Sequence, residues 1–476
     1  TRRSSDLPSI AIFGLNEWGV RLPPALFGIL TLPFLFLLVR KLFKNEDLAL
    51  IVTFSLAISP WHLQYSRAAF EVSQMLFLII AGLFFFLKGL EDWRYLIFAV
   101  IFLGLTPYSY NTAKFFLPVL ILILLICFGK KLKRIDSKRL IVILAIFSLI
   151  LLPAAKDIFF GQGGNRFSIL SIFTDPTVVP QIGFDRQTDF VAGPKTKEDI
   201  VGVVPSFSSR FFHNKFLYWG ISLLENYLKV FSTEFLFIAG DINFRHSIQG
   251  GFGELYWLDL AFLILGTISL FKINKKEEKI FIFAWLLLSP LSSVLTRDGG
   301  NHATRLILML PPLLILIGLG IYNFLSQFKK IKQKAVVCGL LFTIYCLLFT
   351  LYLHRYYVHY PFEAEEWWHF GYKQQANYVK ENEANYEYIQ FSDRDQPPLI
   401  FSLFWLKIDP KIIQENKLSW TQISDAIWAD HLPNTKYYFG HVSEERIRSN
   451  GFIGTLKPNL LYLLPESEIR KDFRYE

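Results

Sequence analysis

The chain has 476 residues, of which 52% are hydrophobic and 48 are phenylalanine, and its mean hydropathy is +0.34. Soluble domains are ordinarily less apolar, so this composition indicates a membrane protein. The net charge of +9 does not point to nucleic acid, because the basic residues flank apolar segments. The three cysteines, Cys127, Cys338 and Cys346, lie in apolar segments without the spacing of a metal or disulfide motif.

The apolar segments predict membrane-spanning helices along most of the chain. The sequence offers about ten stretches that approach the roughly 20 apolar residues a membrane helix needs, although several are short. Their approximate centres are Leu30, Phe54, Phe84, Ile101, Leu122, Leu144, Leu263, Trp285, Leu314 and Leu341. The predicted fold class is therefore an all-α polytopic membrane protein, with the membrane domain covering residues 1–353.

Two kinds of loop alternate between these segments. Basic loops occupy residues 40–44, 129–139, 272–279 and 329–334. Loops rich in Trp, Tyr, His, Asn and isolated charges occupy residues 60–67, 106–111 and 296–302. Because an excess of Lys and Arg marks the cytoplasmic side, we expect the second kind to meet at the outer face of an inner or plasma membrane.

Two regions fall outside this pattern of spans. Residues 153–253 form a long outer segment, in which a helix over 214–232 and other aromatic helices are expected at the membrane interface. Residues 354–476 are predicted to form a small extracytoplasmic α/β domain. Its predicted elements are a helix over 373–383 and strands over 386–391, 436–440 and 460–464.

The segment 296–305 is the strongest candidate for chemistry. Arg297 and Arg305 beside a helix start would make an anion site, because guanidinium groups bind phosphate bidentately. His302 and Arg305 are spaced to share a helix face. The structural alternative is that Asp298 caps a helix and Arg305 extends its charge to the membrane surface.

The residues around Glu71 form a second candidate. Tyr65, Arg67 and Glu71 lie where one predicted span ends and the next begins, and Arg67 and Glu71 have the spacing of an ion pair on one helix. Such ionisable groups at membrane depth are either functional or paired for structural reasons.

A third candidate segment contains Tyr108, Tyr110, Asn111 and Lys114. The tyrosine rings could stack on a sugar, and Asn111 or Lys114 could reach a phosphate. An aromatic belt with a membrane-surface lysine explains it equally well.

A fourth polar segment covers residues 240–247 and 250–254. The Asp and Asn spacing there is too sparse for an EF-hand, so the sequence assigns no metal ligands to it. The chain also lacks a Ser/His/Asp order, an HExxH helix, a Walker loop and a CxxC pair, which leaves hydrolase, metalloprotease and ATPase readings without support.

Four segments, residues 13–28, 59–71, 224–247 and 289–311, resemble the GT-C superfamily of polyprenyl-phosphate-sugar glycosyltransferases. The resemblance is to the family 39-like branch that contains protein O-mannosyltransferases and the lipid A aminoarabinose transferase. It implies a GT-C-like fold and transfer of a sugar, with inversion, from a lipid-linked donor to a lipid, glycan or protein acceptor at the outer face.

The resemblance also implies roles for particular residues. It places the catalytic base in an early outer loop, and residues 1–6 lack that loop's acidic pair, so we expect the base to lie upstream of Thr1 and the chain to lack its natural beginning. The remaining roles follow from charge and predicted sidedness. The candidates are Glu71, Asp298 and His302 for catalysis, Arg67, Lys114, Arg297 and Arg305 for the donor phosphate, and Tyr65, Tyr108, Tyr110 and Asn111 for substrate binding.

Two other functions remain open from the sequence. A transporter or flippase of lipid-linked saccharides would also need many helices and cations near a phosphate. An inactive membrane scaffold would use its outer domain to bind a partner. The sequence does not identify the sugar or the acceptor, and it leaves open whether a divalent metal assists.

Overall fold

The computed structural model describes residues 6–161, 164–192, 205–273, 275–394, 397–415, 418–424, 427–441 and 458–465. Residues 1–5, which bear on the expected missing base, lie outside this set. The chain divides into two compact units. We call residues 21–364 the helical unit, and residues 6–20 with 365–476 the mixed unit. The division at 364 falls later than the predicted 353 because the last long helix continues through a π turn at Arg355–His359 into Tyr360–Glu363.

Helices dominate the helical unit. The α-helices are Glu17–Phe43, Glu46–Ala57, Pro60–Arg67, Val72–Gly89, Arg94–Ser109, Asn111–Leu132, Ser137–Phe160, Asn165–Leu170, Val178–Ala192, Phe207–Phe212, Lys215–Val230, Trp257–Lys272, Lys276–Leu288, Leu291–Val294, Ala303–Leu306, Leu310–Ser326, Ile331–His354 and Tyr360–Glu363. Each predicted span centre lies within one of them, and the helix expected over 214–232 is Lys215–Val230.

Six helices in the described part of the chain are long and apolar enough to cross a membrane, which makes this a multi-pass membrane protein. They are Glu17–Phe43, Val72–Gly89, Asn111–Leu132, Ser137–Phe160, Ala303–Ser326 and Ile331–Glu363. The pair Glu46–Ala57 and Pro60–Arg67, bent by 56°, makes a seventh if it is one span. This number of spans is lower than the roughly ten that the sequence predicts. Other predicted centres lie in helices that are too short to be counted, such as Lys276–Leu288, which has 13 residues.

Helix Leu310–Ser326 forms the centre of the helical core, and most of its residues are buried. Helix Trp257–Lys272 crosses it at close range. A Cβ atom on Gly266 would lie 1.7 Å from the carbonyl oxygen of Leu316, and one on Gly320 would lie 2.0 Å from that of Phe262. Only glycine allows the two backbones to approach this closely.

The loops of the helical unit gather at two ends. At what we call the basic-loop end, Lys41 pairs with Glu91, Lys131 pairs with Glu277, and Lys275 donates to the carbonyl of Leu42 at 2.9 Å. The other end collects the loops that carry Trp, Tyr, His and Asn, and we call it the polar-loop end. There Gln64 donates to the carbonyl of Arg245 at 2.8 Å, and Ser171 and Thr296 form a β-bridge.

The mixed unit contains a five-stranded sheet with the order β2-β3-β4-β1-β5. The strands are β1 Tyr388–Phe391, β2 Ser419–Ser424, β3 Ile427–His431, β4 Tyr437–Phe439 and β5 Leu460–Leu463, and the α-helices are Asp6–Phe13, Tyr372–Asn382, Leu399–Leu406 and Lys411–Glu415. Strand β1 runs parallel to β4 and β5, whereas β2 with β3 and β3 with β4 are antiparallel. The three predicted strands and the predicted helix are present. The β2–β3 hairpin was not predicted, because the residues between its strands, Asp425 and Ala426, lack a hairpin turn signal.

Candidate functional site

A tight loop at the polar-loop end presents a buried carboxylate. Gly240 has a φ of +72°, and a Cβ atom there would lie 2.3 Å from Ser247 Oγ, so the chain needs glycine at this position. The side chain of Asp241 accepts the Asn243 backbone N–H at 2.9 Å, and the side chain of Asn243 accepts the Arg245 N–H at 2.9 Å. These successive turns bring the next residue, His246, back toward Asp241.

Asp241 lies against two imidazoles. His246 Nδ1 is 2.8 Å from Asp241 Oδ2, His302 Nδ1 is 3.9 Å from the same oxygen, and the two ring centroids are 4.7 Å apart. Oδ2 also accepts the N–H of Ala303 at 2.9 Å. We call Asp241, His246 and His302 the Asp241 cluster. Each offers one donor atom, and these atoms lie within 4.8 Å of one another, which suits them to hold a metal ion.

Burial changes the protonation of the groups around this cluster. Burial, followed by the positive charge of Arg305, lowers the pKa of His302 to about 4, so its ring is neutral at pH 7. Glu254 is buried behind Asp241 and accepts the Asp241 backbone N–H at 3.2 Å. Its burial and the negative charge of Asp241 raise the pKa of Glu254 well above its ordinary value. Shifts of this kind in a buried polar group are common at functional sites.

Arg305 is buried next to the cluster and held by two oxygens. Its Nη1 donates to Thr296 Oγ1 at 2.5 Å and to Asp298 Oδ1 at 2.7 Å. Partial burial would raise the pKa of Asp298, but the hydrogen bond and charge of Arg305 outweigh it and lower that pKa. His302 and Arg305 do not both lie in a helix, contrary to the expected shared helix face. His302 is the residue before the helix that begins at Ala303, and it lies against Asp241, whereas Arg305 contacts Thr296 and Asp298.

Helix Pro60–Arg67 contacts the segment that follows His302. Pro60 at its first turn and the Ser59 side chain, which accepts the His62 N–H, start this helix after the bend. The ring N–H of Trp61 donates to the Ala303 carbonyl at 3.1 Å, and the Tyr65 hydroxyl lies 2.8 Å from Thr304 Oγ1. Tyr65 therefore positions the segment that follows His302.

Arg67 and Glu71 do not share a helix, contrary to the expected pair. The helix ends at Arg67, and Glu71 is the residue before the next helix, Val72–Gly89. The guanidinium carbon of Arg67 lies 4.9 Å and 4.7 Å from the ring centroids of Tyr356 and Tyr357. Arg67 thus makes cation–π contacts with the last long helix and its π turn.

The other predicted site residues contact neighbouring segments of the same end. Arg297 Nε lies 3.6 Å from Asp175 Oδ2, and Lys114 Nζ lies 3.9 Å from Asp157 Oδ2. The Tyr108 hydroxyl donates to the carbonyl of Ile150. Tyr110 lies between helices Arg94–Ser109 and Asn111–Leu132, and Asn111 is the first residue of the second helix.

Asp241 and His246 lie in the fourth polar segment, residues 240–247, to which the sequence assigned no metal ligands. Their partner His302 is far away along the chain, and the sequence offers no regular ligand spacing. The sequence offered only a weaker indication than a ligand motif. It placed two histidines and an aspartate in loops predicted to lie at the same end of the protein. The structure gathers the Asp241 cluster, Asp298 and Arg305 in one place.

These helices and loops define a multi-pass membrane protein with a buried polar centre at one end. The family model described as "Dolichyl-phosphate-mannose-protein mannosyltransferase" matches residues 8–154, which confirms the predicted resemblance in that part of the chain. Among curated proteins, none matches.

Several solved structures are similar to the chain, among them the following two. The archaeal oligosaccharyltransferase AglB from Archaeoglobus fulgidus, in complex with an inhibitory peptide and a dolichol-phosphate, is 16% identical with a TM-score of 0.49, and the match covers 84% of this chain and 55% of AglB. ArnT from Cupriavidus metallidurans bound to undecaprenyl phosphate is 13% identical with a TM-score of 0.38, over 71% of this chain and 52% of ArnT. The chain therefore spans about half the length of both proteins.

Proposed function

We propose that the protein transfers a sugar from a polyprenyl-phosphate donor to an acceptor hydroxyl. The observation that carries this proposal is the match of residues 8–154 to a family described by its dolichyl-phosphate-mannose donor. That segment contains helix Pro60–Arg67, whose side chains hold the residues around the Asp241 cluster. The matched segment therefore supplies contacts to the buried polar centre.

The proposed reaction makes two demands on the site. The acceptor oxygen forms a bond to C1 of the sugar with inversion, and the bond from C1 to the phosphate oxygen breaks. The acceptor's proton passes to a base, which a carboxylate can supply. The polyprenyl phosphate leaves with added negative charge, which cationic groups stabilise.

We assign the leaving phosphate first to Arg305. A guanidinium has five N–H donors in a fixed plane, so the bonds to Thr296 and Asp298 orient it and leave donors for phosphate oxygens. Because Arg305 lowers the pKa of Asp298, that carboxylate stays ionised at neutral pH and keeps the guanidinium in place. Arg67, Arg297 and Lys114, at the same end, add positive charge along the approach of the donor.

Proton transfer and sugar binding are assigned to the remaining candidates. Glu71, at the turn after helix Pro60–Arg67, is the proposed proton acceptor within the described residues. Tyr108, Tyr110 and Asn111 are proposed to contact the sugar, since aromatic rings stack on sugar faces. His302 is neutral at pH 7 and lies against Asp241, so we assign it to the Asp241 cluster rather than to proton transfer.

The proposed orientation places the polar-loop end on the outer side of the membrane. The basic-loop end carries Lys41, Lys131 and Lys275 near one another, and such loops stay cytoplasmic. The acceptor and the donor headgroup would then meet at the outer leaflet.

The test uses membrane vesicles that contain the protein, prepared right side out and inside out, with radiolabelled dolichyl-phosphate mannose added to the outer leaflet. We expect label to move from the lipid-extractable donor to membrane proteins or glycolipids in the right-side-out vesicles and to lag in the inverted ones. Donor that crosses the bilayer without such transfer would replace this proposal with a transporter. Neither transfer nor crossing above vesicles without the protein would also reject it.

A further inference from the structure

We propose that Asp241, His246 and His302 bind one divalent transition-metal ion of the zinc class, with at least one coordination position left for an exchangeable oxygen ligand. Among the described residues, theirs is the group of histidine and acidic side chains with donor atoms close enough for a shared ion. The ion would be an integral part of the polar-loop end.

The distances within the cluster are close to those a metal requires. Ligand atoms about 2.0–2.1 Å from a tetrahedral zinc ion lie about 3.3 Å from each other. The separations here are 2.8 Å from His246 Nδ1 to Asp241 Oδ2 and 3.9 Å from His302 Nδ1 to the same oxygen. These two separations lie on either side of that value.

The surroundings of the cluster favour a metal over a hydrogen-bonded pair alone. His302 Nδ1 is buried and has no hydrogen-bond partner among the described residues, and a buried polar atom left without a partner is costly. The carboxylate of Asp241 is already oriented by the N–H groups of Asn243 and Ala303. Outer bonds of this kind hold a metal ligand in place.

The ligand types select the class of ion. Two imidazole nitrogens with one carboxylate suit zinc and similar transition metals, whereas magnesium and calcium prefer oxygen ligands. Coordination requires His246 Nδ1 to be unprotonated, so a proton on this nitrogen moves to Nε2 or is released to solvent when the ion binds. Three protein ligands leave a position on a tetrahedral ion. If the proposed function holds, a donor phosphate or acceptor oxygen would take it.

The experiment measures metal without any sugar donor. Purified protein in lipid nanodiscs is stripped with a chelator, dialysed against Co²⁺ or Zn²⁺, and analysed for bound metal and for the visible absorption of Co²⁺. We expect about one equivalent of metal and the intense bands of a four-coordinate Co²⁺ ion. His246→Gln and His302→Gln are expected to weaken binding by more than the roughly 10–100-fold that loss of an outer-shell partner costs.

His213→Gln is the matched control. His213 also lies beside carboxylates, with its Nε2 3.0 Å from Asp189 Oδ2, but outside the cluster, so this variant should keep the metal. The inference is overturned if the unaltered protein binds no stoichiometric Co²⁺, or if all three variants bind it equally. The Co²⁺ content of the unaltered protein is measured first, so misfolding of a variant does not affect that result. Metal binding without sugar transfer would reject the proposed function alone, and transfer without metal would reject this inference alone.

Discussion

The two ends of the helical unit hold their polar groups in opposite ways. At the basic-loop end, the side chains of the pair Lys131–Glu277 are 40% and 38% exposed, and Glu91, which pairs with Lys41, is 70% exposed. At the polar-loop end, the side chains of Asp241 and Arg305 are 4% and 10% exposed. Solvent-exposed charges can indicate the topology of a membrane protein at little cost in folding free energy. Buried charges need fixed partners.

This difference in burial indicates which end of the helical unit is suited to catalysis. An exposed lysine is surrounded by water, which screens its charge and competes for its hydrogen bonds. A buried arginine between Thr296 and Asp298 acts in a less polar medium, where its interaction with a phosphate is stronger. The same burial makes the polar-loop end sensitive to small changes, and the following variants test that difference.

The largest effect on stability is expected from glycine substitutions at the two ends. A Cβ atom on Gly299 would lie 2.0 Å from the Ser293 carbonyl oxygen, whereas one on Gly129 meets nothing within 4 Å. We expect Gly299→Ala to lower the free energy of unfolding by about 2–4 kcal/mol through backbone displacement. Gly129→Ala, in a helix, should leave it unchanged or raise it by up to about 1 kcal/mol. Thermal unfolding of both variants in detergent is the measurement, and equal midpoints would contradict the close packing at Gly299.

A smaller effect is expected from removing one buried hydroxyl. Tyr65→Phe leaves Thr304 without the hydroxyl that lies 2.8 Å away, and we expect a loss of about 1–3 kcal/mol. Tyr227→Phe removes an exposed bond of 2.9 Å to the Leu287 carbonyl and should cost less than about 1 kcal/mol. Denaturant titration followed by tryptophan fluorescence compares them. A larger loss for Tyr227→Phe would show that burial does not set these energies.

The smallest effect is expected at the basic-loop end. Lys131→Ala removes the exposed pair with Glu277 and should change stability by less than about 1 kcal/mol. The difference from the unaltered protein should also vanish in about 1 M salt, where screening acts within a few ångströms. Thermal unfolding at low and high salt tests both points, and a large, salt-independent loss would mean that this end also depends on specific pairs.

Much of the fold was predictable, because long apolar stretches and alternating loops are local signals. The centres at Leu144 and Leu314 lie in helices of 24 and 17 residues. The number of spans was not predictable in the same way. Helices such as Trp257–Lys272, with 16 residues, are apolar enough to read as spans, but their length depends on where tertiary contacts end them.

The site was predictable only in part. The loop pattern predicted that Tyr65, His302 and Arg305 lie at one end of the membrane domain, but it could not say which side chains touch. Pairing of His302 with Asp241 depends on helix Pro60–Arg67 holding the Ala303 carbonyl through Trp61, a contact between distant segments. The expected helical pair of Arg67 and Glu71 failed because the chain turns at Ala68, where the Phe70 N–H donates to the Ala68 carbonyl at 2.7 Å.

The most direct test of the central claim compares one arginine from each end in the sugar-transfer assay. Arg305→Gln removes the buried cation assigned to the phosphate, and Arg40→Gln removes the exposed cation that pairs with Glu46. Rates are corrected for the amount of folded protein in the vesicles. We expect Arg305→Gln to lower transfer by about 100-fold or more and Arg40→Gln to leave it unchanged. Equal rates for the two variants would contradict the claim that the buried polar end is the catalytic one.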